Sequence, residues 1–304
     1  MPLPQSDIKK QTGKDDHYRP KVGVVLASGN IKAFSAIPLF EMLQREKIDI
    51  DLLVGCSGGS IIAALIGAGL STDEIREKTR QFLNKKLFTK KDFRSLLGLY
   101  NLPFGRFNKT SGFLKPDRIK DLYRKVFQDK RLEDLKPKTL IQVTDLETGQ
   151  GRVLDKGRVA DVVYASGAIF PILPPAEIDG KWYADGYFTS SLPVMEAVKR
   201  GMDVIIAVIF EDPIHPKPQR FFSVFNNIYK IQSAALTRYQ IAMSIDMHDH
   251  EIILIKVPFN RSIKMWEIDA IPKIMKTGED AVEQKKAEIL SAIDAFYKKK
   301  KIGA

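Results

Sequence analysis

The sequence predicts an α/β fold with a mainly parallel sheet covered by helices, and two observations support this prediction. Residues 21–26 (KVGVVL) form a nearly continuous apolar run rich in β-branched residues, which is typical of a buried parallel strand. A small-residue loop, a predicted helix over residues 33–45 and a second apolar run over residues 48–54 follow. Strand, helix and strand in this order predict a βαβ unit, and hence parallel pairing of the two strands.

The remainder of the chain continues to alternate strands and helices. Further strands are predicted at residues 139–145, 151–154, 182–187, 204–210 and 251–258. Further helices are predicted at residues 60–70, from 71 onward, and at 116–127, 160–166, 193–200, 233–246 and 279–297. We expect one domain over residues 21–297, with a basic region at 71–138 that is partly helical and partly an apolar lid. Within this region, residues 87–113 are rich in Phe, Leu and Gly with little periodicity, and they could form either the lid or a loop packed on the core. Residues 1–20 are predicted to be a flexible lead-in, residues 211–232 a surface excursion, and residues 298–304 a basic tail.

Composition limits the classes of protein to consider. The chain has 304 residues, 44% of them hydrophobic, which suffices for a sizeable core. Cys56 is the only cysteine, so no intramolecular disulfide can form and a reducing, cytoplasmic compartment is expected. Residues 1–20 lack the apolar stretch of a secretory signal. The net charge of +11 is compatible with contact to an anionic membrane face, whereas no nucleic-acid-binding motif occurs, so we expect no nucleic-acid partner.

The glycine-rich corner at residues 55–59 is the strongest motif. It reads Gly-Cys-Ser-Gly-Gly and matches G-x-S-x-G, with an apolar strand before it and an apolar helix after it. In a nucleophile elbow a serine, here Ser57, occupies the sharp strand-to-helix turn, and Gly55, Gly58 and Gly59 leave room around it. A chance match and a membrane span over residues 52–70 are the alternatives, and five glycines argue against the span.

Two further segments could supply the rest of an acyl-transfer site. The loop at 27–33 follows the first strand and could present backbone N–H groups to an oxyanion, although a plain strand-to-helix connection explains it equally well. Asp185-Gly186 is a common turn dipeptide. It ends a strand-like segment, however, and sites of parallel sheets lie at strand C-termini, so Asp185 is a candidate base for Ser57.

A catalytic triad that includes a histidine is the alternative to a serine–aspartate pair. Ser57, Asp185 and either His248 or His250 follow the chain order of α/β-hydrolase triads. Two histidines at alternate positions could also indicate a metal site, but no third ligand is evident, and we expect a solvated strand end there.

Taken together, four segments resemble the patatin-like phospholipase family in order and spacing, from about residue 21 to residue 210. They are the loop at 28–33 (SGNIKA), the elbow at 55–59, the segment at 165–171 (ASGAIFP), and the block that begins Asp185-Gly186-Tyr187 and continues to Pro193. The resemblance implies a three-layer α/β/α fold and a Ser57–Asp185 dyad that needs no histidine, metal or cofactor. It also implies an oxyanion hole from Ser28, Gly29, Asn30, Ile31 and Lys32.

The function implied by the resemblance is hydrolysis of acyl esters in phospholipids or lysophospholipids. The basic residues within 76–138 and the lysine tail could hold such an enzyme peripherally at an anionic membrane. The chain departs from the family pattern where Ser28, Asn30 and Ala33 replace glycines and where the large Tyr187 replaces a small residue. These departures motivate a second hypothesis, a catalytically impaired lipid- or protein-binding member of the family.

Overall fold

One mixed sheet joins the strands of the described part of the chain. The computed structural model describes residues 19–99, 102–211, 213–248 and 251–302. The strands are β1 (Val22–Leu26), β2 (Leu52–Cys56), β3 (Lys138–Asp145), β4 (Gly151–Leu154), β5 (Ala176–Ile178), β6 (Lys181–Asp185), β7 (Val204–Glu211) and β8 (Glu251–Pro258). Five of them run parallel in the order β8-β7-β1-β2-β3, while β4 and β6 pair antiparallel with β3, and β5 pairs with β6.

Helices cover both faces of this sheet. They are α1 (Ile37–Arg45), α2 (Gly58–Gly67), α3 (Thr72–Phe82), α4 (Phe93–Leu99), α5 (Asp117–Phe127), α6 (Val159–Ser166), α7 (Val194–Val198), α8 (Phe221–Asp246) and α9 (Ile271–Ile302). Helix α7 packs on β1, β2 and β7 and is itself covered by α8, whereas α9 packs on β7, β8 and α1. Strand β1 is buried along its whole length, as its apolar sequence requires. The predicted three-layer α/β/α fold is confirmed.

The largest differences from the sequence prediction lie at helix starts. Helix α8 begins at Phe221, not at residue 233, so most of the predicted surface excursion is helical and only the proline-containing part before it is irregular. Helix α9 begins at Ile271, not at residue 279, and contains Gly278, a poor helix former. A Cβ at Gly278 would lie 1.9 Å from the carbonyl oxygen of Ser35, so glycine allows the helix to pack closely on the segment that follows β1.

That segment is also more ordered than predicted. Residues Asn30–Ala36 form a short 3-10 helix that runs directly into α1, so half of the predicted loop is helical. Strand β2 is shifted toward the elbow: it begins at Leu52 instead of residue 48 and ends at Cys56. The predicted lead-in lies outside the described residues up to position 18, while the Arg19 guanidinium already binds both carboxylate oxygens of Asp51 at 2.8 Å. At the other end, α9 continues through the predicted basic tail to Ile302.

Strand β3 determines which strand ends meet in the sheet. Its residues Gln142 and Val143 pair with β4 on one edge. Strands β2 and β6 share the opposite edge of β3: Cys56 of β2 pairs with Gln142, and Asp185 of β6 pairs with Val143. The two strands run in opposite directions relative to each other, so their C-terminal residues meet at one point along β3. This junction brings together residues that are 128 positions apart in the sequence.

Candidate active site

Ser57 occupies the sharp turn between β2 and α2. Its backbone has φ of 51° and ψ of −120°, a left-handed conformation that is rare for a residue with a side chain. The flanking glycines permit the turn: a Cβ at Gly55 would lie 2.6 Å from the Cα of Ser60, and one at Gly59 would lie 2.5 Å from the carbonyl oxygen of Leu26. The strained serine and the crowded glycines are the geometry of the predicted nucleophile elbow.

The Ser57 hydroxyl donates a hydrogen bond of 2.7 Å to Oδ2 of Asp185. The other carboxylate oxygen accepts the backbone N–H of Tyr187 at 2.9 Å. The Asp185 side chain is only 2% exposed. Burial raises the pKa of Asp185 from 3.8 to about 7, against the lowering effect of these two hydrogen bonds. The carboxyl group is therefore a much stronger base than an exposed aspartate.

Ser166, at the end of α6, connects the elbow to the sheet. Its hydroxyl accepts the backbone N–H of Ser57 at 2.8 Å and donates to the carbonyl oxygen of Gln142 at 2.7 Å. The Asp185 carbonyl is held in turn by the hydroxyl of Thr144 at 2.8 Å. The sequence analysis assigned no role to Ser166, and its only signal was its place in the 165–171 segment that resembles the family.

The loop after β1 lies against the elbow, but not all of its predicted donors are available. The N–H of Ser28 donates to the carbonyl of Ser191, and that of Lys32 closes the first turn of the 3-10 helix onto Gly29. These two predicted oxyanion donors are thus used within the protein. The N–H groups of Gly29, Asn30 and Ile31 precede that first hydrogen-bonded turn, as expected for donors at a helix start.

Asn30 and Gly58 are in close contact at this point. A Cβ at Gly58 would lie 2.2 Å from the carbonyl oxygen and 2.7 Å from the nitrogen of Asn30. Asn30 has φ of 45°, which explains why the family pattern has glycine there, and asparagine is the kind of residue that tolerates this conformation. Gly58 also begins helix α2, so its N–H precedes the first internal bond of that helix, from Ser60 to Ser57.

An apolar cavity of about 150 Å³ opens beside these groups. Asn30, Ser57 and Gly58 line one part of it. Most of the remaining wall consists of apolar side chains, among them Ile61, Ile75, Leu83, Leu87, Phe88, Ile119, Leu122, Val126, Ile169 and Leu173. Lys78 and Thr79 of α3 add polar groups to it. The sequence analysis predicted a helix at 116–127 but not that it forms part of a cavity wall, because periodicity does not show which neighbour an apolar face contacts.

The predicted apolar lid at residues 87–113 divides into two parts. Leu87 and Phe88 line the cavity, as a wall for an acyl chain would require. Phe93, Leu97, Leu102, Phe104 and Phe107 face solvent instead, and Phe104 is the most exposed of them. The expectation of an apolar wall over the serine therefore fits Leu87 and Phe88, whereas the exposed residues are neither such a wall nor packed on the core.

His248 does not lie at the site. His248 follows the C-terminus of α8 and precedes β8 by three residues, so it lies at the N-terminal edge of the parallel strands. Ser57 lies at the C-terminal edge of β2, about 20 Å away along the strand direction alone. His250 lies outside the described residues, immediately before Glu251, the first residue of β8. This topology argues against a Ser-His-Asp triad that uses His248.

Three other features bear on the site. Cys56 is fully buried, and burial followed by the Asp185 charge raises the pKa of its thiol, so it is not an activated nucleophile. No group of three or more potential metal ligands occurs among the described residues. Helices long and apolar enough to cross a membrane are likewise not found in the described ranges.

Tyr187, the large residue at a position where the family pattern has a small one, is directed away from the cavity. Its hydroxyl donates to the carbonyl oxygen of Tyr229 in α8 at 2.9 Å, and its ring contacts Phe188 edge to face. The substitution therefore attaches the Asp185 turn to α8 and does not fill the site.

A serine on a strand-to-helix elbow, bonded to a buried carboxylate at the end of an adjoining strand, defines an α/β protein with a serine–aspartate pair at a sheet edge. The model of the patatin-like phospholipase family matches residues 24–198, more than half of the chain, and the chain belongs to this family. The resemblance noted from the sequence is confirmed.

Individual relatives are distant. The chain is 25% identical over 189 residues to an uncharacterized NTE family protein of Mycobacterium bovis, covering 62% of this chain and 49% of the relative. It is 24% identical over 225 residues to Lysophospholipase NTE1 of Candida glabrata, covering 72% of this chain and 12% of that protein. The chain thus spans half or less of the length of these relatives. The crystal structure of VipD from Legionella pneumophila matches with a TM-score of 0.50 at 14% identity, covering 89% of this chain and 67% of that one, which shows the fold alone.

Proposed function

We propose that this protein is a serine lipid acyl hydrolase that cleaves acyl esters of phospholipids or lysophospholipids through a Ser57–Asp185 dyad. One observation supports this most directly: the 2.7 Å hydrogen bond from the Ser57 hydroxyl to a buried carboxylate, beside an apolar cavity. The names of the family and of the yeast lysophospholipase relatives agree with this class of substrate.

In the first half of the reaction, Asp185 accepts the Ser57 proton while Oγ attacks the ester carbonyl carbon. The tetrahedral intermediate collapses by breaking the bond to the alcohol oxygen. The alcohol leaves with the proton from Asp185, and an acyl-serine remains. In the second half, water attacks the acyl-serine, gives its proton to Asp185, and releases the fatty acid as the proton returns to Ser57. A carboxyl with a pKa of about 7 suits both directions of proton transfer near neutral pH.

The negative oxygen of the intermediate needs donors that are already in place. The backbone N–H groups of Gly29, Asn30 and Ile31, at the start of the 3-10 helix, and of Gly58, at the start of α2, fulfil this requirement. The Ser57 N–H does not contribute, because it donates to Ser166. Two helix starts meeting at one point also favour negative charge there.

The acyl chain of the substrate occupies the apolar cavity in this proposal. Its wall is formed almost entirely of aliphatic and aromatic side chains, which gain free energy by excluding water around a hydrocarbon chain. The altered positions 30 and 187 do not favour the alternative of an impaired binding protein. Asn30 adopts the required backbone conformation, and the Tyr187 hydroxyl bonds to α8.

Reaction with a fluorophosphonate probe tests this function. The purified protein is expected to be labelled on one serine, and Ser57→Ala is expected to abolish labelling. The matched variant His248→Ala should be labelled at the wild-type rate, because His248 lies at the far edge of the sheet. Loss of labelling in His248→Ala would contradict the dyad. A folded wild-type protein that neither reacts with the probe nor hydrolyses a soluble short-chain ester would contradict the hydrolase function.

A further inference from the structure

The described residues 90–99 and 102–115, here called the strap, form a projection with a fixed base. At the base, Lys91 bridges to Leu114, and the N–H of Asp92 donates to the carbonyl of Phe113 at 2.9 Å. The base is attached to the segment after α6, because the N–H of Phe113 donates to the carbonyl of Pro171 at 2.8 Å. Residues Ile169 and Leu173 of that same segment line the cavity, so the strap projects from the cavity wall.

The tip of the strap, residues 93–99 and 102–107, is apolar. Helix α4 packs tightly on the returning chain, since a Cβ at Gly105 would lie 2.3 Å from the nitrogen of Gly98. The large apolar side chains of the tip face solvent, with Phe93 67% and Phe104 94% exposed. Leu97, Leu102 and Phe107 are exposed as well. A cluster of exposed apolar residues on one projection is typical of an interaction surface.

Phe104 occupies an unfavourable turn position. The N–H of Gly105 donates to the carbonyl of Leu102 at 3.0 Å, which closes a turn with Pro103 and Phe104 at its centre. Phe104 has φ of 64°, and a proline followed by a positive φ corresponds to a type II turn, whose third residue is normally glycine or asparagine. A bulky aromatic residue is strained there, and such strain is characteristic of functional positions.

Positive charge surrounds this apolar tip. Residues 85–125 contain twelve lysine and arginine residues and only three aspartates. Lys91, Arg94, Arg106 and Lys109 of the strap are exposed, and Arg94 and Arg106 are adjacent, since the Arg106 N–H donates to the Arg94 carbonyl at 3.0 Å. Exposed aromatic residues within a basic rim complement a surface that is anionic outside and apolar below.

We infer that the tip of the strap docks the protein on an anionic lipid bilayer, with Phe104 inserted among the lipids and the surrounding lysines and arginines against their phosphates. The inference rests on the proposed function, and it adds how a lipid in the bilayer reaches the active site. The ring of Phe107 meets that of Phe170 at 6.2 Å, edge to face, and Phe170 adjoins the cavity-lining Ile169. The docked tip therefore connects to the cavity wall. A second copy of the chain is a poorer partner, because two basic rims would repel each other.

Binding to vesicles of ether-linked lipids tests the docking surface without turnover, since these lipids have no acyl ester to cleave. The full chain is sedimented with phosphatidylcholine vesicles that contain or lack phosphatidylserine. Wild type is expected to bind only when phosphatidylserine is present, and less tightly as salt is added. Phe104→Gly, which suits the turn, is expected to weaken binding about tenfold. Arg94→Gln is expected to weaken it about fivefold.

Tyr239→Ala is the matched control, because Tyr239 is an aromatic residue 72% exposed on α8, outside the strap. It should bind vesicles like wild type. The inference is overturned if wild type ignores anionic vesicles at low salt, or if Phe104→Gly binds as well as wild type. A dimer in solution that Phe104→Gly dissociates would also overturn it, since the tip would then be a self-association surface. Failure of the hydrolase function is recognised separately, by the absence of hydrolysis of a soluble ester.

Discussion

Replacing Asp185 with asparagine should abolish turnover and at the same time stabilise the fold. The amide fits the existing contacts: its oxygen can accept the Tyr187 N–H, and its NH₂ group can donate to the Ser57 hydroxyl oxygen, reversing the present bond. The proton acceptor is lost, however, so kcat/KM should fall at least about 100-fold.

The gain in stability follows from the pKa of Asp185. Burial raises this pKa from 3.8 to about 7, so between these pH values the folded protein holds a proton that the unfolded chain releases. The free energy of unfolding therefore decreases as pH rises across this window, and the loss is complete above about pH 7. A difference of about three pH units corresponds to about 4 kcal/mol, which is the upper bound on what asparagine can restore at pH 8.

The measurement is urea unfolding of wild type and Asp185→Asn at pH 4 and pH 8, together with kcat/KM on a short-chain ester. The variant should exceed wild type in stability at pH 8 and match it at pH 4. Wild-type kcat/KM should rise with pH with a midpoint near 7, as the base loses its proton.

Asp145, at the end of β3, is the matched control because its side chain is also buried but has the opposite electrostatic environment. Burial alone would raise its pKa, but the N–H groups of Thr148 and Glu147 and the Arg152 guanidinium, 2.8 Å away, lower it overall. Stability from Asp145 is present above its usual pKa and is lost as pH falls, so Asp145→Asn should destabilise the protein at pH 8. If Asp185→Asn is no more stable than wild type at pH 8, or keeps most of its activity, the account of Asp185 as a destabilised base is wrong.

Two further substitutions test the oxyanion donors and the cavity. Gly58→Ala places a Cβ 2.2 Å from the Asn30 carbonyl oxygen, so it should displace the loop after β1 and lower kcat/KM at least about 100-fold. The circular dichroism spectrum should stay unchanged. A wild-type kcat/KM in this variant would show that catalysis does not need the loop. Ile61→Phe, one helical turn after Ser57, should lower kcat/KM for long-chain esters at least about tenfold relative to acetyl esters. Ile66→Phe is the control, because Ile66 lies on the same helix but does not line the cavity. If the two variants show the same preference for acyl-chain length, the cavity is not the acyl-chain site.

Much of the fold could be predicted from the sequence because local signals agreed with the tertiary structure. The apolar run of β1 is buried on both faces, and the predicted strands at 139–145 and 251–258 appear as β3 and β8 with at most one residue of difference. The helix predicted from residue 71 onward is α3, and the capping box of Ser71 and Glu74 fixes its start. The starts of α8 and α9 were missed, because Gly278 and the prolines before residue 221 are local helix-breaking signals that the actual packing accommodates.

The sequence alone determined the nature of the elbow, because the glycines at 55, 58 and 59 are required by steric contacts within a few residues of Ser57 or with one neighbouring loop. The sequence offered Asp185 as a candidate and the family resemblance implied its pairing with Ser57, but the contact itself is decided by the tertiary structure. That contact depends on β2 and β6 ending at the same point along one edge of β3, a non-local pairing that no periodicity encodes. The same holds for Ser166, for the cavity wall from α3 and α5, and for the pKa of Asp185, since burial is a property of the assembled layers and not of any segment.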